Sequence, residues 1–86
     1  AEMNFPAGTW PTKDGAHVML AIVREEEFVT LCRELGRPEL PKDERFASFP
    51  QRAANKAQLR PILEEAFRVK TAEEWVKQLQ AARMLC

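Results

Sequence analysis

Glycine is scarce in this chain. Gly8, Gly15 and Gly36 are spread singly through 86 residues, so no glycine-rich loop is present to cradle a phosphate. There is one histidine, His17, and there are two cysteines, Cys32 and Cys86. These are too few for a metal site or a disulfide framework. No apolar run approaches the roughly 20 residues of a membrane span. The N-terminus lacks the basic and apolar segments of a secretory leader. Charge of one sign is missing too: 13 Lys and Arg balance 13 Asp and Glu. Binders of nucleic acid or anionic membranes carry a basic excess on one face, so neither partner class fits. The longest like-charge run, Glu25–Glu27, suits the first turn of a helix, where acids meet the helix dipole favourably. Together these absences point to a cytoplasmic, reduced setting, with no metal and no cofactor.

At 45% hydrophobic and 30% charged, the composition is that of an ordinary globular domain. Residues 1–86 read as a single domain. A chain this short buries only roughly 60% of its unfolded surface. Its organising stretch is Thr9–Val23, T-W-P-T-K-D-G-A-H-V-M-L-A-I-V. Asp14-Gly15 is a turn signal, since Gly tolerates positive φ and Asp supports the turn beside it. A short strand around Trp10–Lys13 leads into the turn, and an apolar strand, His17–Val23, leaves it. Val18, Leu20 and Ile22 share one face; His17, Met19, Ala21 and Val23 share the other. A strand apolar on both faces implies cover on both.

Three helices follow. In Glu25–Leu35, Phe28, Leu31, Cys32 and Leu35 make one buried stripe, with Gly36 placed to end the helix and Pro38 beyond it. Arg37–Pro50 reads as a compact connection in which Asp43 caps one helical turn. Leu40, Phe46 and Phe49 act there as apolar plugs. Asn55–Arg68 is the second helix, with an alternative start at Gln51. Asn55 and Gln58 have capping-box spacing. Pro61 either lies inside this helix or opens a new one after a break near Arg60. Thr71–Met84 is the third helix, opened by the Thr71/Glu74 capping box. Trp75, Leu79 and Ala82 lie on its buried stripe, while Gln78 and Gln80 face out. The fold class is α+β: a small antiparallel hairpin packed by about three helices.

No catalytic constellation stands out. His17 lies beside a turn with no Ser or Cys nucleophile near it in sequence. Asp14 reads as a turn residue, and Glu73 and Glu74 as helix-start residues. Cys32 reads as a small buried hydrophobe and Cys86 as an exposed chain end. Trp10 and Trp75 could stack on an adenine but belong first to the core. Lys13, Arg37 and Lys42 could supply charge to a bound CoA, without a phosphate cradle to organise it. No catalytic, cofactor-binding or metal residue is assigned.

The order of short blocks is more specific than any one of them. The chain reads P-T-K-D-G (Pro11–Gly15), an apolar strand, E-E-F (Glu26–Phe28), L-C-R-E-L-G-R-P-E-L (Leu31–Leu40) and K-D-E-R-F (Lys42–Phe46). It goes on with R-x-x-N-K (Arg52–Lys56), L-R-P-I-L-E-E-A-F (Leu59–Phe67), T-A-E-E-W (Thr71–Trp75) and L-Q-A-A (Leu79–Ala82). From Phe5 to Cys86 this resembles the small domain of the family III CoA-transferases, the family of formyl-CoA transferase, carnitine CoA-transferase and α-methylacyl-CoA racemase. The resemblance implies a full-length enzyme about four times longer that forms interlocked dimers. Its large domain would bind acyl-CoA and carry the aspartate that forms acyl-enzyme anhydrides. Neither Asp14 nor Asp43 matches that aspartate's context. Formyl-CoA transferase has a glycine-rich loop before the hairpin, where Met3–Gly8 here reads M-N-F-P-A-G. Many members continue after the third helix with V-P-C or V-P-A; here the chain reads Met84-Leu85-Cys86.

The resemblance therefore implies an isolated or truncated small domain, not catalytic by itself, whose partner is the missing large domain. The alternative is a stand-alone interaction module, for instance a homodimer formed through the apolar C-terminal end. An uncovered apolar edge favours self-association.

Overall fold

The structure, a computed structural model, describes residues 5–84. Leu85, Cys86 and the first residues of the Met3–Gly8 stretch lie outside the described residues. Two strands, β1 (Gly8–Pro11) and β2 (His17–Leu20), pair antiparallel. Gly8 lies opposite Leu20, Thr9 opposite Met19, Trp10 opposite Val18 and Pro11 opposite His17. Between them, residues 12–16 form the turn. The Thr12 amide donates to the Ala16 carbonyl at 3.0 Å and the Gly15 amide to the Thr12 carbonyl at 3.1 Å. Gly15 takes φ +81°, a conformation that favours glycine. The turn signal thus forms the expected hairpin, but β1 starts earlier than Trp10 and ends before Lys13, and β2 stops at Leu20, short of the expected Val23.

The apolar strand is covered on one face only. Trp10, Val18, Leu20 and Ile22 are buried, while Met19 and Val23 are 69% and 65% exposed. The expectation of a strand covered on both sides is therefore corrected. The hairpin is one layer, and the core lies against a single face of it.

Helix α1 (Glu25–Glu34) opens with three acids and buries Phe28, Leu31 and Cys32. The Glu27 carboxylate accepts from the Val23 amide at 2.7 Å and the Arg24 amide at 2.8 Å, so two free donors at the helix start are satisfied. Gly36, at φ +78°, ends it. The Arg37 amide donates to the Cys32 carbonyl at 2.8 Å and the Gly36 amide to the Arg33 carbonyl at 3.2 Å, the paired bonds of a Schellman end.

The connection holds two 3-10 turns, Leu40–Lys42 and Glu44–Phe46. Asp43 caps the second by accepting from the Arg45 amide. It also holds a short fourth helix that the sequence reading did not separate, α2 (Phe49–Ala54), capped by Ser48. Pro50 sits in its first turn, where a missing N–H leaves no bond unmade. Asn55 joins α2 to α3 (Lys56–Phe67).

Asn55 does not cap α3 as its spacing with Gln58 suggested. Its side-chain amide donates backwards, to the Gln51 carbonyl at 3.0 Å and the Arg45 carbonyl at 3.1 Å. Gln58 instead accepts from Arg45 Nη1 at 3.1 Å. Pro61 lies inside α3, and no break occurs at Arg60. Pro61 removes the bond to the Ala57 carbonyl. Both residues are exposed, so water can serve that oxygen.

Helix α4 (Ala72–Ala81) opens with the expected box. The Glu74 amide donates to Thr71 Oγ1 at 3.2 Å and the Thr71 amide to Glu74 Oε1 at 2.9 Å. It stops at Ala81, short of the expected Met84. Arg83 adopts φ +67°, and the Met84 amide donates to the Leu79 carbonyl at 2.9 Å. This is a second Schellman end, with Met84 packed inward at 4% exposure. The expected apolar C-terminal patch therefore loses Met84 to the core.

An aromatic column joins the layers. Trp10 stacks on Phe67 with centroids 5.6 Å apart, and Phe67 meets Trp75 edge-on at 5.4 Å. Both indoles are satisfied: Trp10 Nε1 donates to the Pro6 carbonyl and Trp75 Nε1 to the Phe67 carbonyl, each at 2.8 Å.

Arg83 occupies a backbone region that glycine tolerates and β-branched residues resist. In urea unfolding, Arg83→Gly is expected to be the most stable of three chains, by about 0.5 kcal/mol over the parent. Arg83→Val is expected to lose about 1 kcal/mol or more. A valine variant as stable as the parent would contradict the left-handed end of α4.

Candidate functional site

The most concentrated polar cluster is internal. Arg52, on α2, is 1% exposed. Its Nη2 donates to Glu25 Oε1 at 2.6 Å, Nη1 to the Phe46 carbonyl at 2.9 Å and Nε to the Phe5 carbonyl at 3.3 Å. The guanidinium lies over the rings of Phe28 (4.2 Å) and Phe49 (4.6 Å). The second oxygen of Glu25 accepts from the Phe49 amide at 2.8 Å. Burial works to raise the Glu25 pKa, but the Arg52 bond, the Phe49 amide and the Arg52 charge together hold it below the usual value. Among the described residues, no buried side-chain nitrogen or oxygen lacks a partner. A guanidinium this well satisfied is a structural tie.

The sequence reading did not assign Arg52 a role. The available signal was its spacing: one helical turn after Phe49, inside an aromatic segment where an exposed arginine gains little. Gln78 was misread in the same way. Its amide donates to the Glu34 carbonyl at 3.1 Å and to Glu34 Oε1 at 2.8 Å, and its oxygen accepts from Lys70 Nζ. It faces α1, joining the start of α4's neighbourhood to the end of α1.

The other candidates are dispersed. Asp14 accepts from Thr12 Oγ1 at 2.5 Å and from the Ala72 amide at 3.3 Å, so the turn carboxylate also serves the start of α4. The Thr12 hydroxyl chiefly holds its pKa down. Asp43 receives two bonds from the Arg45 guanidinium, at 2.7 and 3.1 Å, which pull its pKa to about 2. His17 is exposed at the start of β2. Glu73 pairs with Lys77 on the open face of α4. Cys32 is fully buried, and desolvation pushes its thiol up to about 12, which removes it as a nucleophile at neutral pH. Trp10 and Trp75 are both buried and offer no face to an adenine. Lys13 sits at the hairpin turn, where its amide donates to the Lys70 carbonyl. Arg37 and Lys42 belong to the connection after α1, so Lys13 sits on a different part of the fold from the other two. No group of His, Cys, Asp and Glu among the described residues is arranged to hold a metal ion.

One surface feature remains. The outer face of the hairpin presents Met19 and Val23, with the equally exposed Thr9 opposite Met19. Because side chains alternate along a strand, burying Val18 and Leu20 forces Met19 outward; Val23 lies just beyond the strand and is exposed as well. This face can contact another surface. The chain's one imidazole, His17, is exposed on the same face.

Comparison with known proteins is consistent across the whole chain. The sequence model of "CoA-transferase family III" matches residues 1–86. The chain is 43% identical over 76 residues to a probable fatty acyl-CoA transferase of Mycobacterium tuberculosis, an alignment covering 88% of this chain and 19% of that protein. It is 31% identical over 58 residues to a succinyl-CoA–D-citramalate CoA-transferase of Chloroflexus aurantiacus, covering 67% of this chain and 14% of that protein. The crystal structure of a CAIB/BAIF family protein from Brucella suis superposes with a TM-score of 0.92 at 30% identity, over 99% of this chain and 22% of that one. The chain thus spans about a fifth of the length of the relatives it matches.

The carboxylates generate a pH prediction. Asp14, Glu25, Glu27, Asp43 and Glu74 all have lowered pKa values in the folded chain. Groups with ordinary values of 3.8 and 4.5 therefore bind protons more readily when the chain unfolds. The stability they contribute is present above those values and is lost as pH falls through them. Urea midpoints are expected to be level near neutral pH and to decline from about pH 4.5 towards about pH 2. A midpoint unchanged at pH 3 would show that these contacts do not hold the fold.

Proposed function

This chain belongs to CoA-transferase family III, and on that premise we propose that it is the small domain of a larger acyl-CoA-using enzyme, a scaffold that does not catalyse by itself. The reading takes residues 1–86 as a single domain. The observation that carries it is a family match over the entire chain, set beside relatives about five times its length. The chemistry of the domain supports it. Its low-pKa carboxylates are engaged as caps and ties, and its buried thiol is held protonated. Nucleophilic catalysis needs an activated side chain with an adjacent base. Acyl-CoA is the substrate class of the whole enzyme, and transfer to a carboxylate or racemisation is its reaction. A cytoplasmic location belongs to the same proposal, and the free Cys32 thiol suits a reducing compartment. No helix among the described residues is long and apolar enough to cross a membrane.

A second reading rests on the outer face of the hairpin. Met19 and Val23 could seat a second copy of the chain, making the domain a self-associating module.

Two measurements separate these readings. With an acyl-CoA and a free carboxylate, the 86-residue chain is expected to show no CoA transfer, and calorimetric titration with CoA is expected to give no heat. Turnover above a heat-denatured control would overturn the scaffold reading. In sedimentation, the chain is expected to remain a monomer over a wide concentration range. A dimer that Met19→Lys dissociates would establish the self-associating module.

A further inference from the structure

The arm before β1 is held in an unusual way. Phe5 and Pro6 are buried and Ala7 packs against the core, yet the arm belongs to no strand or helix. Two side-chain donors hold its carbonyls. Arg52 Nε donates to the Phe5 carbonyl at 3.3 Å and Trp10 Nε1 to the Pro6 carbonyl at 2.8 Å. The Phe5 ring lies tilted on Trp10 with centroids 5.8 Å apart. Above the same ring sit Arg60, at 5.2 Å, and Lys56, at 5.6 Å. The arm therefore rests on β1, α2 and α3 together.

We propose that Phe5–Ala7 is a releasable strap over Trp10, fastened by Arg52, which opens while the core around Trp75 stays folded. Segments held by few bonds outside a ladder open locally at less free energy than the core. The contacts to be broken are two hydrogen bonds, one ring stack, the Arg60 and Lys56 contacts to the Phe5 ring and the burial of Phe5 and Pro6. The other Arg52 bonds, to Phe46 and Glu25, are independent of the arm. Opening would let the chain entering the hairpin change direction without moving the helices. This proposal does not depend on the scaffold reading.

The two indole N–H groups make an internal control. Trp10 Nε1 bonds to the strap, and Trp75 Nε1 bonds to Phe67 inside the helical layer. Hydrogen exchange of both is followed by NMR in the 86-residue chain at increasing sub-denaturing urea. Trp10 is expected to exchange faster, with little urea dependence, because a local opening exposes little surface. Trp75 is expected to follow global unfolding. Phe5→Ala should speed Trp10 exchange by at least about tenfold relative to Trp75. Arg52→Lys should do the same, a factor in keeping with weakening one hydrogen bond to a charged group. Should Arg52→Lys lower global stability, the Trp10 to Trp75 ratio in Phe5→Ala and in the parent still decides. Equal rates with equal urea slopes at the two indoles in the parent chain would overturn the strap.

Discussion

The interaction on which the rest of the structure depends is the pair formed by buried Arg52 and half-exposed Glu25. Placing a guanidinium at 1% exposure is unfavourable by several kcal/mol unless its donors are met. Here they are met by three acceptors from three separate parts of the chain: α1, the turn ending at Phe46, and the arm at Phe5. Glu25 uses its second oxygen on the Phe49 amide, at the start of α2. The pair thereby fixes the N-terminus of α1 against the N-terminus of α2. The arm belongs to no strand or helix and the two 3-10 turns are short, and Arg52 ties both to α1. Because the Glu25 carboxylate still meets water, the pair adds little net stability. Removing Glu25 would leave one donor of the buried guanidinium without its acceptor. Arg52 therefore acts more as a constraint on arrangement than as a source of stability.

A second clasp works at the opposite end of the hairpin. The turn carboxylate Asp14 reaches the Ala72 amide, and the Lys13 amide reaches the Lys70 carbonyl. The turn and the start of α4 are thus fastened by polar bonds, and the aromatic column of Trp10, Phe67 and Trp75 fills the space behind them. Arg52 holds the arm that leads into the hairpin and Asp14 holds its turn. Its register decides which face is inside. Trp10 opposite Val18 goes in, and Thr9 opposite Met19 goes out.

The parts of this fold legible in the sequence were those written in local, periodic signals. The Asp14-Gly15 turn, the stripe of Phe28, Leu31, Cys32 and Leu35, the Gly36 end and the Thr71/Glu74 box all formed as their spacing implied. Three features were not legible, each because a tertiary contact overrode a local rule. Asn55 has the residue type and spacing of a cap, yet its amide bonds backwards to Gln51 and Arg45. Gln78 looked like a solvent residue, yet it bridges to Glu34. Arg52 carries no local signal of burial, because charge in a sequence says nothing about which carbonyls converge on it. The strand cover was misjudged for a different reason. An apolar outer face implies a covering layer, but the sequence does not say whether that layer lies within these 86 residues.

The size of that outer face bears on what covers it. Met19 and Val23 are roughly two-thirds exposed, so burying them gains on the order of 2–4 kcal/mol per copy, or about 4–8 kcal/mol over both copies of a two-fold dimer. Bringing two separate molecules together costs about 4–15 kcal/mol in translational and rotational freedom. For a dimer of free chains the two terms are of similar size. A surface belonging to the same polypeptide is already at high effective concentration and avoids most of that cost. The energetics of the face thus suit contact with a tethered surface better than a dimer of free chains, and in the relatives the matching segment is about a fifth of the chain.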